Sequence, residues 1–557
     1  MDTFTSNYRF LSFVLLACLS GQAVVAADLV RTVALSDVPI RNDTQLGIRK
    51  SGLSRVVVDA RGNVAFEGFL TGPGVNESND RAILSESVGN GLRIVAREGF
   101  PLPDSPAESR RLLSANFFSL NNIGDTLVLA ALDGPEIIGV VAATRTDGRT
   151  DILLREGDMP TGQSEVALAS ITSVGVNGFS ASGNFLAARG TLRGPNVTSD
   201  NDNILYRLTE SGSLDIILRE GDPLPATTAG EKYGRAISSV AINQYGHLAF
   251  LAEVDDPRRI IGNDTAVFGS SISSQPLLIA REGLVAPGFL YADVFYDDLG
   301  STPVVGPSGE VVFHAELRGA TTSRNAIFRG DVDDVELVIK QGDAFNNGPD
   351  GLTLFDAYSL VVNSKGHLAF NGEVAGIEFG ELSGEGVFKE DTVGEIAIVA
   401  LAGQQAPGVA QGERFYSFQP VSTNRLGQTA FEAWLTQPLT DRRGRTAIFA
   451  EDIRGNLQLI VAAGEEMNVS DDPFVQDLRT VTRLVMTEQS GNADGRRSGF
   501  NDLGQLAFYA EFTDGSSGFF VANAVAVAEP SSIVTTTIAV ACFVVACMSS
   551  HEKCCVA

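Results

Sequence analysis

The chain repeats one short phrase, N-x-x-G-x-x-A-F, at a nearly constant spacing along its length. The clearest copies are "NQYGHLAF" at 243–250 and "NSKGHLAF" at 363–370. With substitutions allowed there are eight copies, whose glycines are Gly62, Gly124, Gly183, Gly246, Gly309, Gly366, Gly427 and Gly504. Neighbouring glycines lie about 60 residues apart, and a period of that length predicts a structural unit that recurs eight times.

Each unit contains four short apolar segments separated by turn residues. The first ends at the motif asparagine, as in "SSVAIN" at 238–243, and the second follows the motif glycine, as in "HLAFLAEV" at 247–254. The third has the form "AIF", as at 326–328, and the fourth leads into a second repeated phrase, "REGD", as at 219–222. These runs are rich in Val, Ile, Leu and Phe, and several alternate with period two, which predicts β-strands rather than helices.

The motif itself predicts a tight hairpin turn. Its asparagine side chain would cap the backbone, and its glycine would adopt the positive φ that lets the next strand turn back. The alanine and phenylalanine would then point to opposite faces of that strand.

Four antiparallel strands in each of eight repeats predict an all-β fold, an eight-bladed β-propeller over residues 28–525. The last copy lacks a fourth strand, and "LVRTVALSDVPI" at 29–40 would supply it, closing the ring from the N-terminus. A linear β-solenoid or two smaller propellers would use the same repeats. The longest interval between motifs predicts an insertion around 465–495.

The N-terminus predicts a secretory signal peptide over residues 1–27. Arg9 precedes a short apolar stretch and then small residues, so we expect cleavage after Ala26 or Ala27 by the export machinery. The alternatives are an uncleaved anchor helix, for which the apolar core is short, and lipidation of Cys18.

The C-terminus predicts a membrane segment. A Glu-Pro-Ser-Ser linker at 526–532 precedes an apolar run at 533–548 and a tail at 549–557, which Lys553 would keep in the cytoplasm. The arrangement resembles the PEP-CTERM sorting signal of bacterial surface proteins, which implies processing by an exosortase at Glu529 and Pro530. The tail has one basic residue where that family usually has several arginines, and the alternative is a plain membrane anchor.

The net charge limits the possible ligands, and the cysteine positions limit the possible disulfides. A formal net charge of −27 excludes nucleic acid as a favoured ligand, because phosphate backbones bind through Lys and Arg. Residues 19–541 contain no cysteine, so this part of the chain depends on burial and backbone pairing rather than disulfides.

The repeat resembles that of bacterial tandem-repeat proteins named for their N-x-x-G-x-x-A-F motif, which carry varied C-terminal anchors. The resemblance covers nearly the whole mature chain, although "NNIGDTLV", "SASGNFLA" and "GPSGEVVF" are degenerate copies. The motif is also similar to the "SPDGxxIAF" units of TolB-like propellers. The first family implies an exported surface protein of unassigned biochemistry, and the second supports the fold alone.

No catalytic motif is evident. The sequence lacks HExxH, paired CxxC, P-loop and G-x-S-x-G patterns. His247 and His367 occupy the same repeat position and are interpreted as strand surface residues. The REGD phrases are interpreted as connections whose Gly and Asp form turns and whose Arg and Glu are solvated or paired across neighbouring blades.

No cofactor is predicted. The acidic stretches "TSDNDN" at 198–203 and "DVDD" at 331–334 offer oxygen ligands of the kind calcium accepts, but neither matches a complete EF-hand loop. Acidic surface turns explain them equally well.

These features predict an exported, surface-anchored or secreted propeller without enzymatic activity. It would bind or scaffold extracellular polysaccharide, matrix or protein partners. The alternative is an extracellular polysaccharide-acting enzyme with a carboxylate site at the propeller mouth.

Overall fold

The computed structural model describes most of residues 30–523. Its gaps are 37, 41–42, 50–54, 90, 103–108, 180–184, 210, 226–229, 259–261, 272–274, 291–292, 301, 320, 377–383, 438–441, 471, 473, 488 and 492–495. The predicted signal peptide, linker, apolar run and tail lie outside the described residues, as do Ala26, Ala27, Glu529, Pro530 and the third motif glycine, Gly183.

The described residues form 37 strands and no helix, arranged as eight antiparallel sheets. Blade 1 contains β2 (Pro39–Ile40), β3 (Asp43–Arg49), β4 (Val56–Val58), β5 (Val64–Thr71), β6 (Arg81–Ser85) and β7 (Arg93–Arg97). Blade 2 contains β8 (Leu112–Leu120), β9 (Thr126–Leu132), β10 (Ile138–Thr144) and β11 (Thr150–Arg155). Blade 3 contains β12 (Ala167–Phe179), β13 (Phe185–Arg193), β14 (Asn203–Thr209) and β15 (Leu214–Arg219). Blade 4 contains β16 (Lys232–Ile242), β17 (Leu248–Asp255), β18 (Thr265–Ser270) and β19 (Leu277–Arg281).

The second half of the ring has the same plan. Blade 5 contains β20 (Val294–Asp298), β21 (Val304–Val305), β22 (Val311–Gly319), β23 (Asn325–Gly330) and β24 (Val335–Lys340). Blade 6 contains β25 (Thr353–Val362), β26 (Leu368–Ala375), β27 (Glu385–Glu390) and β28 (Ile396–Leu401). Blade 7 contains β29 (Phe415–Phe418), β30 (Ser422–Thr423), β31 (Thr429–Thr436), β32 (Arg443–Glu451) and β33 (Leu457–Ala462). Blade 8 contains β34 (Glu466–Asn468), β35 (Leu478–Met486), β36 (Leu506–Phe512), β37 (Ser517–Ala522) and, from the N-terminus, β1 (Val30–Leu35).

The ring closes as predicted, with the N-terminal strand at the outer edge of the last blade. β1 pairs antiparallel with β37, and Val30 lies opposite Ala522. The closing segment is shorter than 29–40, because β2 already belongs to blade 1. At the same seam the rings of Phe66 and Phe519 stack with centroids 3.7 Å apart. This closure excludes a linear solenoid and a pair of smaller propellers.

The core is distributed between the blades rather than gathered at one centre. Eight apolar clusters fill the eight spaces between neighbouring sheets, including the space between blades 8 and 1. Ala249 and Phe250 lie in different clusters, so the motif alanine and phenylalanine point to opposite faces as predicted. Both faces of a sheet are therefore buried.

The motif turns also join the blades by a repeated hydrogen bond. The asparagine Oδ1 accepts backbone N–H groups of its own turn, as Asn424 does from Leu426 (3.0 Å) and Gln428 (3.2 Å). Its Nδ2 donates to the equivalent carbonyl of the next blade in four described cases: Asn243 to Gly306 (2.7 Å), Asn363 to Asn424 (2.9 Å), Asn424 to Asn501 (3.1 Å) and Asn501 to Asp59 (2.8 Å). We call this bond the asparagine clasp.

The two faces of the ring have different connections. The motif turns and the turns between third and fourth strands lie on one side, the turn face. The loops between second and third strands and the connections between blades lie on the other side, the loop face. First strands of neighbouring blades contact each other, as β12 does β16 and β21 does β25, so these strands surround the central axis.

Candidate functional site

A segment of blade 8 contacts the inner strands of nearby blades. Between β35 and the last motif, the described residues 487, 489–491 and 496–498 lie outside the strands, and we call these residues the plug. It makes hydrogen bonds to first strands of three other blades: Thr423 N to Ser490 O (2.9 Å), Arg496 Nη1 to Leu360 O (2.9 Å) and Val58 N to Ser498 O (2.8 Å). These contacts lie near the motif turns of blades 6, 7 and 1, so the plug lies at the turn-face end of the channel on the side of blade 8.

The plug is tightly fitted and carries buried charge. A Cβ on Gly491 would lie 1.8 Å from the carbonyl oxygen of Val362. Arg496 and Arg497 are both more than nine-tenths buried. Burial lowers the pKa of the Arg497 guanidinium to about 10, and the neighbouring Arg55 acts in the same direction. The predicted insertion therefore has two parts that flank β35: an arm that includes β34, and the plug.

Three carboxylates form a row across blade 6 at its loop-face end. Asp356 on β25 lies opposite Glu373 on β26, and Glu373 lies opposite Glu385 on β27. Directly opposed like charges destabilise a sheet, and residues in such pairs have Cβ atoms about 5 Å apart. Because the innermost strand contributes Asp356, the row begins at the channel.

Two further groups complete what we call the mouth cluster, namely His314, Asp356, Tyr358, Glu373 and Glu385. His314 Nε2 of blade 5 lies 3.3 Å from Asp356 Oδ1. Burial raises the pKa of the Tyr358 hydroxyl, and the neighbouring Glu385, Glu373 and Asp356 add to the effect. Burial also raises the pKa of Glu385, with Glu373 contributing.

Blade 7 has an aromatic ring and a buried acid on the face of β31 that points to blade 8, away from the mouth cluster. Trp434 occupies the strand position that Glu373 has in blade 6, seven residues after the motif glycine. The Arg443 guanidinium lies over its ring, 3.4 Å from the centroid. Glu432, two residues earlier, is 9% exposed, and burial raises its pKa to about 7 despite the opposing effect of Arg483. Glu432 therefore retains a proton over part of the neutral range.

The other sequence-predicted positions have structural roles. Seven motif glycines are described, and each has positive φ, from 73° at Gly504 to 97° at Gly309. His247 is half-buried rather than a free surface residue: its Nδ1 lies 3.3 Å from Asn243 Nδ2, and it packs against Gly309 in the next blade. Burial lowers its pKa. His367 is likewise intermediate in exposure and lies near Gly427.

The REGD phrases were expected to have arginines and glutamates that are solvated or paired across neighbouring blades, but three of the arginines bond within their own blades. The glycines do join neighbouring blades, as Gly157 N donates to Leu168 O of blade 3 (2.9 Å). Arg Nε donates to the carbonyl two residues before the third strand: Arg97 to Asn79 (2.8 Å), Arg219 to Asn201 (2.5 Å) and Arg281 to Asn263 (2.8 Å). The following glutamate accepts from the third strand of the same blade, as Glu156 Oε2 does from Gly139 N (3.0 Å). No catalytic grouping arises from these phrases.

The acidic stretches use their oxygens within their own turns. Asn201 Oδ1 accepts the Thr198 N–H (2.8 Å), and Asp331 Oδ1 accepts the Asp333 N–H (3.0 Å). Within the described residues, no group of three or more His, Cys, Asp or Glu side chains is arranged to hold a metal ion. In the same part of the chain, no helix has the length and apolarity of a membrane span.

A separate cavity of about 300 Å³ lies outside the channel, at the closing seam. It lies between β1, blade 1 and the arm that contains β34, and most of its lining is apolar. Its only carboxylate among the described lining residues, that of Asp477, pairs with Arg479 at 2.8 Å. Because this cavity lacks converging polar groups, the mouth cluster is the stronger candidate.

The fold and the closing strand define the protein as an eight-bladed β-propeller. The chain belongs to a family of unknown function (DUF7453), whose model matches residues 38–326 and 292–534. The two matches begin about four repeat periods apart, as expected when one model fits successive sets of blades. A comparison of the sequence with curated proteins found no match.

Several solved structures resemble this chain at low identity. The β-propeller domain of the Trilobed protease from Pyrococcus furiosus is 10% identical, covers 77% of this chain and 99% of its own, and has a TM-score of 0.37. The Penicillium chrysogenum α-L-arabinanase complexed with arabinobiose is 10% identical, with 76% and 98% coverage and a TM-score of 0.24. The polysaccharide lyase Uly1 is 9% identical, with 66% and 94% coverage and a TM-score of 0.28. At these values no residue of those proteins is equated with one in this chain.

Proposed function

We propose that the protein is an exported, surface-held binding propeller without enzymatic activity, and that the mouth cluster is its ligand site. The observation that supports this proposal is the row of Asp356, Glu373 and Glu385, which places like charges opposite one another, an arrangement that destabilises a sheet. Such a row is relieved when a ligand supplies positive charge or hydrogen-bond donors. The sequence of both termini supports export and attachment.

The chemistry of the cluster favours a neutral or amine-bearing polysaccharide. Carboxylates accept hydrogen bonds from sugar hydroxyls and pair with sugar ammonium groups, whereas they repel uronate and sulfate groups. A small set of converging polar groups is what fixes the orientation of a ligand in a small-molecule or sugar site.

The test is glycan-array binding by the soluble fragment 28–525. We expect binding to neutral or amine-bearing glycans, and we expect the double variant Glu373→Gln, Glu385→Gln to lose it. The matched control is Glu253→Gln, at the same repeat position in blade 4, where the carboxylate accepts the Ala236 N–H at 3.0 Å. Equal binding by the double variant and the wild type, or binding to acidic glycans alone, would contradict the proposal.

A second candidate, hydrolysis or lysis of a polysaccharide, has one observation in its favour. Glu432 is a carboxyl group with a pKa of about 7, as a general acid requires at neutral pH. Incubation of each array-positive glycan with the fragment, followed by measurement of newly formed reducing ends, distinguishes the two functions. Product formation that disappears in Glu432→Gln would establish the enzyme, and intact glycan would favour the binding protein.

A further inference from the structure

The turn face carries exposed apolar side chains at the tips of its turns. They occupy two positions: the second residue after the motif asparagine, and the turn between third and fourth strands. These residues are Ile123, Tyr245, Leu426 and Leu503 at the first position and Val332, Val393 and Ile453 at the second. Val393 is 78% exposed, Ile453 64% and Leu503 60%. Single exposed apolar residues are common, but here the set shares one face and lies mainly on blades 5–8.

In the turns of Val393 and Ile453 an aspartate faces inward and holds the backbone, whereas Asp331, Asp333 and Asp334 around Val332 are exposed. Asp391 Oδ1 accepts the backbone N–H groups of Val393 (2.9 Å) and Glu395 (3.0 Å). Asp452 Oδ1 accepts those of Arg454 (2.8 Å) and Asn456 (2.9 Å) in the next blade. The carboxylates thus hold the turns that present Val393 and Ile453.

Basic residues lie beside the apolar tips. Lys365 and Arg425 are in motif turns of blades 6 and 7, and Arg454 is in the hairpin turn of blade 7. Arg425 lies 3.7 Å from Asp502 and remains 58% exposed at its side chain. Apolar tips with neighbouring Lys and Arg are suited to the interfacial region of a bilayer, where the apolar groups enter and the cations contact phosphates.

The chain leaves the propeller from this same face. β37 is the third strand of blade 8 and ends at Ala522, on the side where third strands meet their hairpin turns. Only residues 523–532 separate Ala522 from the apolar run that begins at Ile533. A fully extended segment of that length spans about 35 Å at most, so an inserted apolar run would hold the turn face beside the bilayer.

We propose that the turn face over blades 5–8 is a membrane-docking surface, which rests on the lipid interface when the C-terminal run is inserted. This inference rests on the surface attachment proposed above. The short tether gives the face a high effective concentration at the bilayer, so weak contacts from a few side chains are sufficient. Docking in this orientation directs the mouth cluster away from the membrane, towards the extracellular ligand.

The test uses the full chain in vesicles of phosphatidylethanolamine and phosphatidylglycerol, with or without brominated acyl chains. Tryptophan is introduced by Val393→Trp on the turn face and, as a control, by Leu290→Trp, since Leu290 is 98% exposed in a connection of the loop face. The native Trp434 lies towards the loop face and gives the same background in both variants. We expect brominated lipid to cause a loss of emission in Val393→Trp only.

Each outcome has a separate meaning. If the protein fails to float with the vesicles, the attachment itself is wrong and the docking proposal falls with it. If the protein floats but Val393→Trp is not quenched, or both variants are quenched equally, attachment stands and docking is overturned. A blue-shifted but unquenched emission from Val393→Trp, together with concentration-dependent sedimentation, would assign the face to a second copy of the chain and would also overturn the proposal.

Discussion

The asparagine clasp at the closing seam provides a quantitative test of the ring. Asn501 is fully buried, and its Nδ2 donates to the carbonyl of Asp59 in blade 1 at 2.8 Å and to Gln505 Oε1 at 2.9 Å. Its Oδ1 accepts the N–H groups of Leu503 (3.0 Å) and Gln505 (2.9 Å). The substitution Asn501→Ala removes all four bonds at once.

The expected loss of stability depends on which hydrogen bonds the partners of Asn501 keep after the substitution. The Asp59 carbonyl keeps its bond from Gly62 N, and the exposed turn at Leu503 regains water, so neither is fully orphaned. The two bonds donated by Asn501 Nδ2 contribute about 1 kcal/mol each. The Gln505 N–H left without its acceptor adds a similar amount, so the total loss of stability is about 3 kcal/mol. At about 2 cal/mol/K per residue, a domain of roughly 490 residues has an unfolding entropy near 1 kcal/mol/K, so Tm should fall by about 3 °C.

The assay is thermal unfolding of the fragment 28–525 at fixed pH and concentration. Asn363→Ala is the matched variant, because Asn363 makes the same clasp to Asn424 within the ring (2.9 Å). Leu503→Ala, in the exposed part of the same turn, controls for the turn itself. If Asn363→Ala lowers Tm as expected while Asn501→Ala changes it by less than about 1 °C, the clasp does not contribute to ring closure and the reasoning is refuted.

Three other predictions address the strand that closes the ring, the buried acid and the plug. Deletion of residues 28–36 removes β1 and exposes the edge of β37, so we expect the variant to aggregate in size-exclusion chromatography. An excess of a peptide with the sequence of residues 28–36 should relieve the aggregation. A monomeric variant with unchanged Tm would contradict this prediction. The pKa of Glu432 rises from an ordinary 4.5 to about 7 in the folded protein, so the stability linked to its proton is complete below pH 4.5 and is lost as pH rises through 7. Glu432→Gln should therefore be more stable than wild type by up to about 3 kcal/mol at pH 8 and no different at pH 4, and parallel pH profiles would show otherwise. Gly491→Ala places a Cβ 1.8 Å from Val362 O, so limited proteolysis should cut residues 487–498 faster in this variant than in wild type, and equal rates would argue against a fitted plug.

The blades were predictable from the sequence because their signals are local and repeated. A motif glycine that needs positive φ, and an alanine and a phenylalanine that need opposite neighbours, are readable within eight residues, as in 243–250. The N-terminal closing strand was predictable because the last repeat lacked one strand.

The mouth cluster and the plug could not be predicted from short sequence patterns, because strand pairing and contacts between blades bring their residues together. Asp356, Glu373 and Glu385 become neighbours only through the register of three strands. Comparison of the seventh position after each motif glycine would have singled out Trp434 but not Glu373, because Glu also occupies that position in blades 4, 5 and 8. The plug is not part of the repeat, and its position depends on contacts with residues of blades 6, 7 and 1 that are far from it in the sequence. The bonds of Arg97, Arg219 and Arg281 within their own blades were not predicted, because their acceptors are backbone carbonyls, which have no sequence signature.

Closure by β1 has a consequence for biosynthesis. The first strand of the propeller is the last to acquire its neighbour, because β37 is made nearly 500 residues later. Until β37 has been made, the growing propeller has an unpaired edge at each end and cannot close. The ring therefore reaches its native state only after residue 522 has been synthesised.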